Sequence, residues 1–177
     1  LYSLATLHVV WLMQPYWEAQ GIPLAMFGLL WFSQSLVVAA AAKFGFEIER
    51  RYGAVLSLAC MGVLPIIGYF GMAWAQGWLG IVIGLLLFAC RGMNQVILVN
   101  AMNRRIPSEF RATANSFTSF LFRLAFITTG PLVGYLAEAK GLESTLNMLG
   151  LSSILLFALV MVPLIQSVKA ILKRVPV

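Results

Sequence analysis

The sequence predicts an all-α, polytopic membrane protein with six transmembrane helices in one bundle. Apolar residues make up 61% of the chain and charged residues 10%, and the mean hydropathy is +0.91. A soluble domain carries about 25% charged residues, so a soluble protein of this composition could not cover its own surface. The apolar runs are too long for the alternating strands of a barrel, so the spans should be helices.

The apolar runs divide the chain into six spans. They lie at about 1–14, 24–42, 54–74, 79–102, 109–136 and 145–165. The first run starts at Leu1 and leaves about fourteen residues before Pro15, fewer than the ~20 that cross a bilayer. We therefore expect the start of this helix, and further chain before it, to lie outside the sequence. Tyr16 and Trp17 after the first run suit the water–lipid boundary.

Breaks inside and between the spans are marked by small or helix-breaking residues. The second span ends in the small residues Ala39 to Ala42, which favour close helix approach in lipid. The charged stretch from Lys43 to Gly53 is predicted to be a loop. Pro65 and the Gly130-Pro131 pair predict helix kinks. The second kink either flexes during gating or is static.

The basic residues predict the orientation of the bundle. Nine fall on one face of the six-span arrangement and only Lys140 on the other. The nine are Lys43, Arg50, Arg51, Arg104, Arg105, Arg111, Lys169, Lys173 and Arg174. By the positive-inside rule, both ends of this segment should be cytoplasmic, and the protein should lie in the cytoplasmic (inner or plasma) membrane. Basic residues confined to short loops do not form a groove-binding face, so no nucleic-acid partner is expected.

The chain is poor in residues for catalysis or metal binding. It has one histidine and no aspartate, and none of its six acidic residues lies at mid-membrane depth in the predicted spans. The two cysteines, Cys60 and Cys90, lie singly in apolar runs without ligand spacing. We therefore expect no enzyme, no metal site and no cofactor, and the intramembrane protease class is excluded.

Arg91 and Arg123 are the first candidate site residues. Each lies about 18 Å from the cytoplasmic end of its span, near the middle of a ~30 Å hydrocarbon core. An arginine there costs at least about 2.5–3.5 kcal/mol on insertion scales, so each needs a partner. Either the pair binds an anionic substrate or a carboxylate from elsewhere, or each arginine ties helices together through backbone carbonyls and water.

Further candidates share helix faces with these arginines or face the same predicted cavity. Asn94 and Gln95 follow Arg91 by three and four residues, and Ser119 precedes Arg123 by four. The remaining candidates are His8, Trp11 and Gln14 on the first span, and Trp31 and Gln34 on the second. His8 is either a packing residue or a proton or substrate ligand, and Gln34 either lines the cavity or pairs with a neighbouring helix.

Several motifs resemble the C-terminal half of a major facilitator superfamily (MFS) transporter. Lys43 to Gly53 is similar to the family's cytoplasmic loop motif, although the Asp of that motif is missing. More specific are Arg91-Gly92, Ile106-Pro107 with Arg111-Ala112-Thr113, and Gly130 to Gly134, which are similar to the tenth and eleventh helices of the family. The resemblance implies a 3+3 inverted repeat in this half, a missing N-terminal six-helix half as partner, and alternating access around a midplane site. It also implies that the cytoplasmic basic residues other than those of the tail contribute to a gate.

These observations predict a secondary transporter of a small solute, with membrane lipid, a small-molecule substrate and the missing half as partners. One option is a small organic anion, favoured by Arg91 and Arg123. Another is proton-coupled efflux of amphipathic compounds, for which protons would be a further partner. A third, from another class, is a standalone six-span structural or partner protein.

Overall fold

The computed structural model describes residues 2–174, which form helices joined by short turns; the side chains of Tyr2, Lys173 and Arg174 are not described. No strand occurs in the described part of the chain, so the predicted all-α class is confirmed. After a 3-10 turn at Tyr2–Thr6, the helices are α1 His8–Ala19, α2 Phe27–Trp74, α3 Gly77–Arg105, α4 Arg111–Lys140, α5 Leu142–Leu156 and α6 Val162–Arg174. Shorter 3-10 turns precede α2 at Leu24–Met26 and α4 at Ser108–Phe110, and a π-helical turn at Phe157–Met161 joins α5 to α6.

Four helical stretches within the described residues are long and apolar enough to cross a membrane, judged by length and composition. They are Leu24–Trp74, Gly77–Arg105, Ser108–Lys140 and Leu142–Leu172. The first has 51 residues. At 1.5 Å per residue it would measure about 76 Å if straight, more than twice the ~30 Å hydrocarbon thickness.

Gly53 divides this long stretch. Its φ of +86° and ψ of 163° are the one non-helical pair inside α2, and such a backbone conformation is essentially restricted to glycine. The expectation of a loop from Lys43 to Gly53 is wrong, because the helix continues as far as Tyr52. The ion pair between Arg50 and Glu47, at 2.8 Å, joins residues three apart and supports this helical turn.

The end of the first helix also differs from the prediction. The first predicted span ends at about residue 14, whereas α1 runs through Pro15 to Ala19. Tyr16 and Trp17, which we expected at the water–lipid boundary, are 2% and 0% exposed. The Tyr16 hydroxyl lies 2.9 Å from the carbonyl oxygen of Met72 and 3.1 Å from that of Ala75, at the end of α2. These hydrogen bonds satisfy the phenol inside the protein, so the aromatic pair belongs to the core.

The core lies mainly between α2 and α3, with α1 and α5 packed around them. Gly92 of α3 is buried where it meets the small residues of α2. A Cβ atom on Gly92 would lie 3.0 Å from the Cβ of Ala41 and 3.1 Å from the backbone nitrogen of Ala42. Small residues thus allow these two backbones to approach closely. A second buried cluster forms around Met61, Cys90 and Met161.

Helix α4 lies at the margin of the bundle. None of its residues, all of which the structure describes, is buried. It packs on α5 and contacts the N-terminal 3-10 turn. Its start is held by the hairpin that precedes it, where Asn115 Nδ2 donates to Asn103 Oδ1 at 3.1 Å and Arg111 Nε donates to the Ile106 carbonyl at 3.0 Å.

The helices run without interruption through both predicted kinks. Pro65 lies within α2 and Gly130-Pro131 within α4, and neither site interrupts its helix. A bend at either position stays a prediction.

Candidate solute-binding cavity

The N-terminal turn, α1, α3 and α4 surround a cavity of about 710 Å³. Each element contributes side chains to its wall. The lining residues are Ser3, Thr6, Leu7, Trp11, Arg91, Asn94, Gln95, Val99, Thr118, Ser119, Phe122, Arg123, Phe126 and Ile127. The volume falls within the usual range for pockets that bind small organic molecules, about 300–1,000 Å³.

The polar residues that the sequence placed on one face of α3 and on one face of α4 all reach this cavity. Arg91, Asn94 and Gln95 share one face of α3, and Ser119 and Arg123 share one face of α4. All five of these residues, which were predicted on two separate helices, line this one cavity. Trp11 of α1 lines it as well.

The two arginines give the cavity an uncompensated positive charge. No carboxylate lines the cavity. Among the side chains that the structure describes, neither Arg91 nor Arg123 has an ion-pair or hydrogen-bond partner, and the ion pair between Arg50 and Glu47 is the one salt bridge. Arg91 is half-buried and Arg123 is exposed. Each guanidinium therefore keeps five N–H donors for a ligand, in a planar arrangement that suits a carboxylate.

The side-chain amide of Asn94 is engaged within the protein. It is 7% exposed, and its Nδ2 donates to Ser3 Oγ at 2.8 Å. This bond fixes the N-terminal turn against α3. Thr6, which lines the cavity beside Ser3, donates its hydroxyl to the Ser3 carbonyl at 3.3 Å. The turn is thereby held by both its own hydrogen bond and one to α3.

An aromatic pair joins α1 to α4. The rings of Trp11 and Phe126 are stacked, with centroids 5.5 Å apart and an interplanar angle of 24°. Both also line a second cavity of about 230 Å³. The other lining residues of this second cavity are His8, Leu12, Pro15, Gly130, Val133, Gly134 and Ala137. The stacked rings therefore contribute to the walls of both cavities.

His8 belongs to the second cavity. It is 8% exposed, and its Nε2 lies 2.9 Å from Thr129 Oγ1. The Thr129 hydroxyl also lies 2.9 Å from the Ala125 carbonyl oxygen, and the tautomer of His8 sets which group donates in the His8–Thr129 bond. The histidine thus ties α1 to α4 next to the Trp11–Phe126 pair.

Three predicted cavity residues lie elsewhere. Gln14 is exposed and lines neither cavity. Trp31 packs edge-on against Trp17, with centroids 5.5 Å apart. Gln34 is 2% exposed inside the helical packing, and its Oε1 has no hydrogen-bond partner among the described residues.

The six residues predicted for a cytoplasmic gate are all exposed. They are Lys43, Arg50, Arg51, Arg104, Arg105 and Arg111. Arg104 and Arg105 line a third cavity, of about 200 Å³, together with Glu49. Arg50 pairs with Glu47 and Arg111 with the Ile106 carbonyl. Gating by these residues stays a prediction.

The cavity also contains residues that sequence reasoning missed, among them Ser3, Thr6, Phe122 and Phe126. Phe122 follows Ser119 by three residues and Phe126 follows Arg123 by three, so the face that carries Ser119 and Arg123 held the signal that could have found them. Ser3 and Thr6 lie inside the first predicted span, and Ser3 precedes Leu7 and Trp11 by four and eight residues, so the face of Trp11 held a signal for Ser3.

Comparisons with known protein families, with curated proteins and with solved structures found no match to this chain.

Proposed function

We propose that this chain is one half of a secondary transporter that carries a small organic anion across a membrane by alternating access. The observation that carries the proposal is the pairing of Arg91 and Arg123 in one cavity without a carboxylate. Two positive charges in a mostly apolar site are costly unless an anion shares it. An anionic substrate supplies the missing negative charge and offsets this cost, so the site selects for anions.

The proposal places the chain across the cytoplasmic membrane as six spans with both termini of this segment cytoplasmic. The positive glycine φ at Gly53 supports two crossings by α2, as residues 27–52 and 54–74. Helices α3 and α4 and the continuous stretch Leu142–Leu172 have the length for one crossing each. The short α1 and the turn before it supply the remaining span. This arrangement puts the basic clusters on one side, as the positive-inside rule requires.

A second six-helix half is proposed to complete the cavity. Its support is the exposure of α4, where Ser119 and Arg123 line the cavity and yet remain exposed. Large apolar side chains of α4 are also exposed, including Phe117 at 60% and Phe120 at 58%. We propose that lipid covers part of this helix and that the second half covers the part beside the arginines, as in the MFS architecture that the motifs resemble.

His8 is the observation that favours proton coupling, which includes the efflux alternative. It is the one histidine of the chain and lies next to the aromatic pair that borders the main cavity. A proton-coupled exporter of cationic amphipathic compounds would also need a carboxylate in the cavity, and this half lines it with none. The organic-anion proposal needs no such group, so it ranks first. A standalone structural protein would leave the two arginines without a role that offsets their cost.

The test is transport by the product of the complete reading frame in proteoliposomes. Labelled carboxylates are supplied with and without a pH gradient, and uptake is compared with that of Arg91→Gln and Arg123→Gln proteins. Either substitution removes a charge-assisted contact, so we expect uptake to fall at least tenfold. Lys140→Gln is the matched control, since Lys140 is exposed, lines none of the described cavities and is not one of the predicted gate residues, and it should leave uptake within about twofold.

Anion uptake that persists unchanged in both cavity variants would contradict the proposed role of the arginines. Uptake of cationic amphipaths driven by a proton gradient, with no carboxylate uptake, would favour the efflux alternative instead.

A further inference from the structure

One wall of the main cavity is aromatic. Trp11 from α1 and Phe122 and Phe126 from α4 line it. Trp11 is 65% exposed although one face of its ring is stacked on Phe126. Because Trp11 lines the cavity and is largely exposed, part of its indole is available to a ligand there.

The aromatic wall lies beside the cationic one. Ser119, Phe122, Arg123 and Phe126 follow the spacing of a single helix face, and the three residues from Arg123 to Phe126 correspond to a rise of about 4.5 Å along α4. This is the scale of the distance between the carboxylate and the ring of a small aromatic acid. A ligand of that kind would reach a guanidinium with its charged end and the rings with its planar end.

Other anions would use only part of this site. A short aliphatic dicarboxylate would engage Arg91 and Arg123 but leave the exposed indole face without a partner. A flat aromatic ring gains from offset or edge-on contact with Trp11 and the phenylalanines, beyond what apolar burial alone provides. The site is thus best matched by an anion that is also aromatic.

We propose that the substrate of this cavity is an aromatic carboxylate, held by Arg91 and Arg123 at its charged end and by Trp11 and Phe126 at its ring. This inference rests on the proposed transport function and specifies its substrate class.

The test compares benzoate with cyclohexanecarboxylate, which has the same charge and a similar size but no aromatic ring. Uptake of each labelled compound is measured in proteoliposomes that contain the product of the complete reading frame. We expect uptake of benzoate to exceed that of cyclohexanecarboxylate by about tenfold. Trp11→Leu should remove most of this preference, and Trp11→Phe, which keeps a ring, should retain it.

Trp74→Leu is the matched control. Trp74 is 71% exposed, similar to Trp11 at 65%, but it lines none of the three cavities described above. Its replacement should leave the ratio of the two uptakes unchanged. If Trp11→Leu abolishes uptake altogether, Trp11→Phe decides, and loss of the preference in that variant would overturn the inference.

The outcomes separate the two proposals. Equal uptake of both acids, sensitive to Arg91→Gln, would overturn the aromatic inference and leave anion transport standing. Absence of uptake for every carboxylate tested would overturn the proposed function itself.

Discussion

Replacing Gly92 with alanine should force α2 and α3 apart. A Cβ at this position would lie 3.0 Å from the Cβ of Ala41 and 3.1 Å from the backbone nitrogen of Ala42, and it would also meet the carbonyl oxygen of Val38. Carbon atoms in contact prefer about 3.5–4.0 Å. The helices must therefore separate locally by roughly 0.5–1 Å, because two of these three neighbouring atoms are backbone and cannot rotate away.

The size of the effect follows from two opposing terms. Overpacking costs about 1–3 kcal/mol, and a backbone obstacle places Gly92 at the upper end. Alanine gains about 0.8–1 kcal/mol over glycine in helix propensity. The net loss should be about 1–2 kcal/mol. At about 2–4 °C per kcal/mol for a chain of this size, the unfolding midpoint should fall by about 2–8 °C.

The assay is thermal unfolding of the purified protein in detergent, followed by tryptophan fluorescence. Gly28→Ala is the matched control, since a Cβ at Gly28 has no heavy atom within 4 Å. This variant gains helix propensity without a clash, so its midpoint should stay equal or rise. A Gly92→Ala protein that unfolds at or above the temperature of the parent protein would refute the close approach of α2 and α3.

Two further predictions use the same unfolding assay. Tyr69→Phe removes a hydroxyl that is fully buried and donates to the Ala5 carbonyl at 2.7 Å, so it should cost about 1–2 kcal/mol; Tyr52→Phe, at a residue 62% exposed, should cost nothing measurable, and equal midpoints for the two variants would argue against the buried bond. Gly53→Ala forces a side chain into a backbone conformation with φ of +86°, which should cost about 1–3 kcal/mol. The unclashed Gly28→Ala again serves as reference, and a stability gain in Gly53→Ala would mean that the helix is continuous at that point.

The helical class and part of the cavity could be predicted from the sequence because both depend on local information. Composition alone requires long apolar helices. Arg91, Asn94 and Gln95 fall on one face at helical spacing whatever the rest of the chain does, and so do Ser119 and Arg123. Their meeting in one cavity required only that α3 and α4 be joined by a short hairpin.

Other residues could not be placed because their environment is set by distant parts of the chain. Tyr16 and Trp17 follow an apolar run and therefore suggest an interface, but carbonyls more than fifty residues away accept the Tyr16 hydrogen bonds. Trp31 was expected in the cavity and instead packs on Trp17. An aromatic side chain suits a lipid boundary, a cavity wall and a core equally well, so its type does not decide between them.

The prediction for the charged stretch that follows residue 42 was wrong for a different reason. Charge density suggested a loop between Lys43 and Gly53. However, Glu47 and Arg50 have good helix propensity and are spaced for an ion pair within a helix. The helix is interrupted instead at Gly53, where the backbone is non-helical.

The exposure of α4 divides the chain into positions with unequal tolerance to mutation. Tyr16 and Tyr69 lock α1 and its preceding turn to α2, and the Gly77 amide donates to the Gln20 side chain at the same end. Substitutions in the region joined by these hydrogen bonds disrupt buried contacts and should lower the stability of the protein. In α4, no position is buried, so folding within this chain constrains its sequence weakly. Substitutions in α4 should therefore lower the stability of this chain less than substitutions in the buried region.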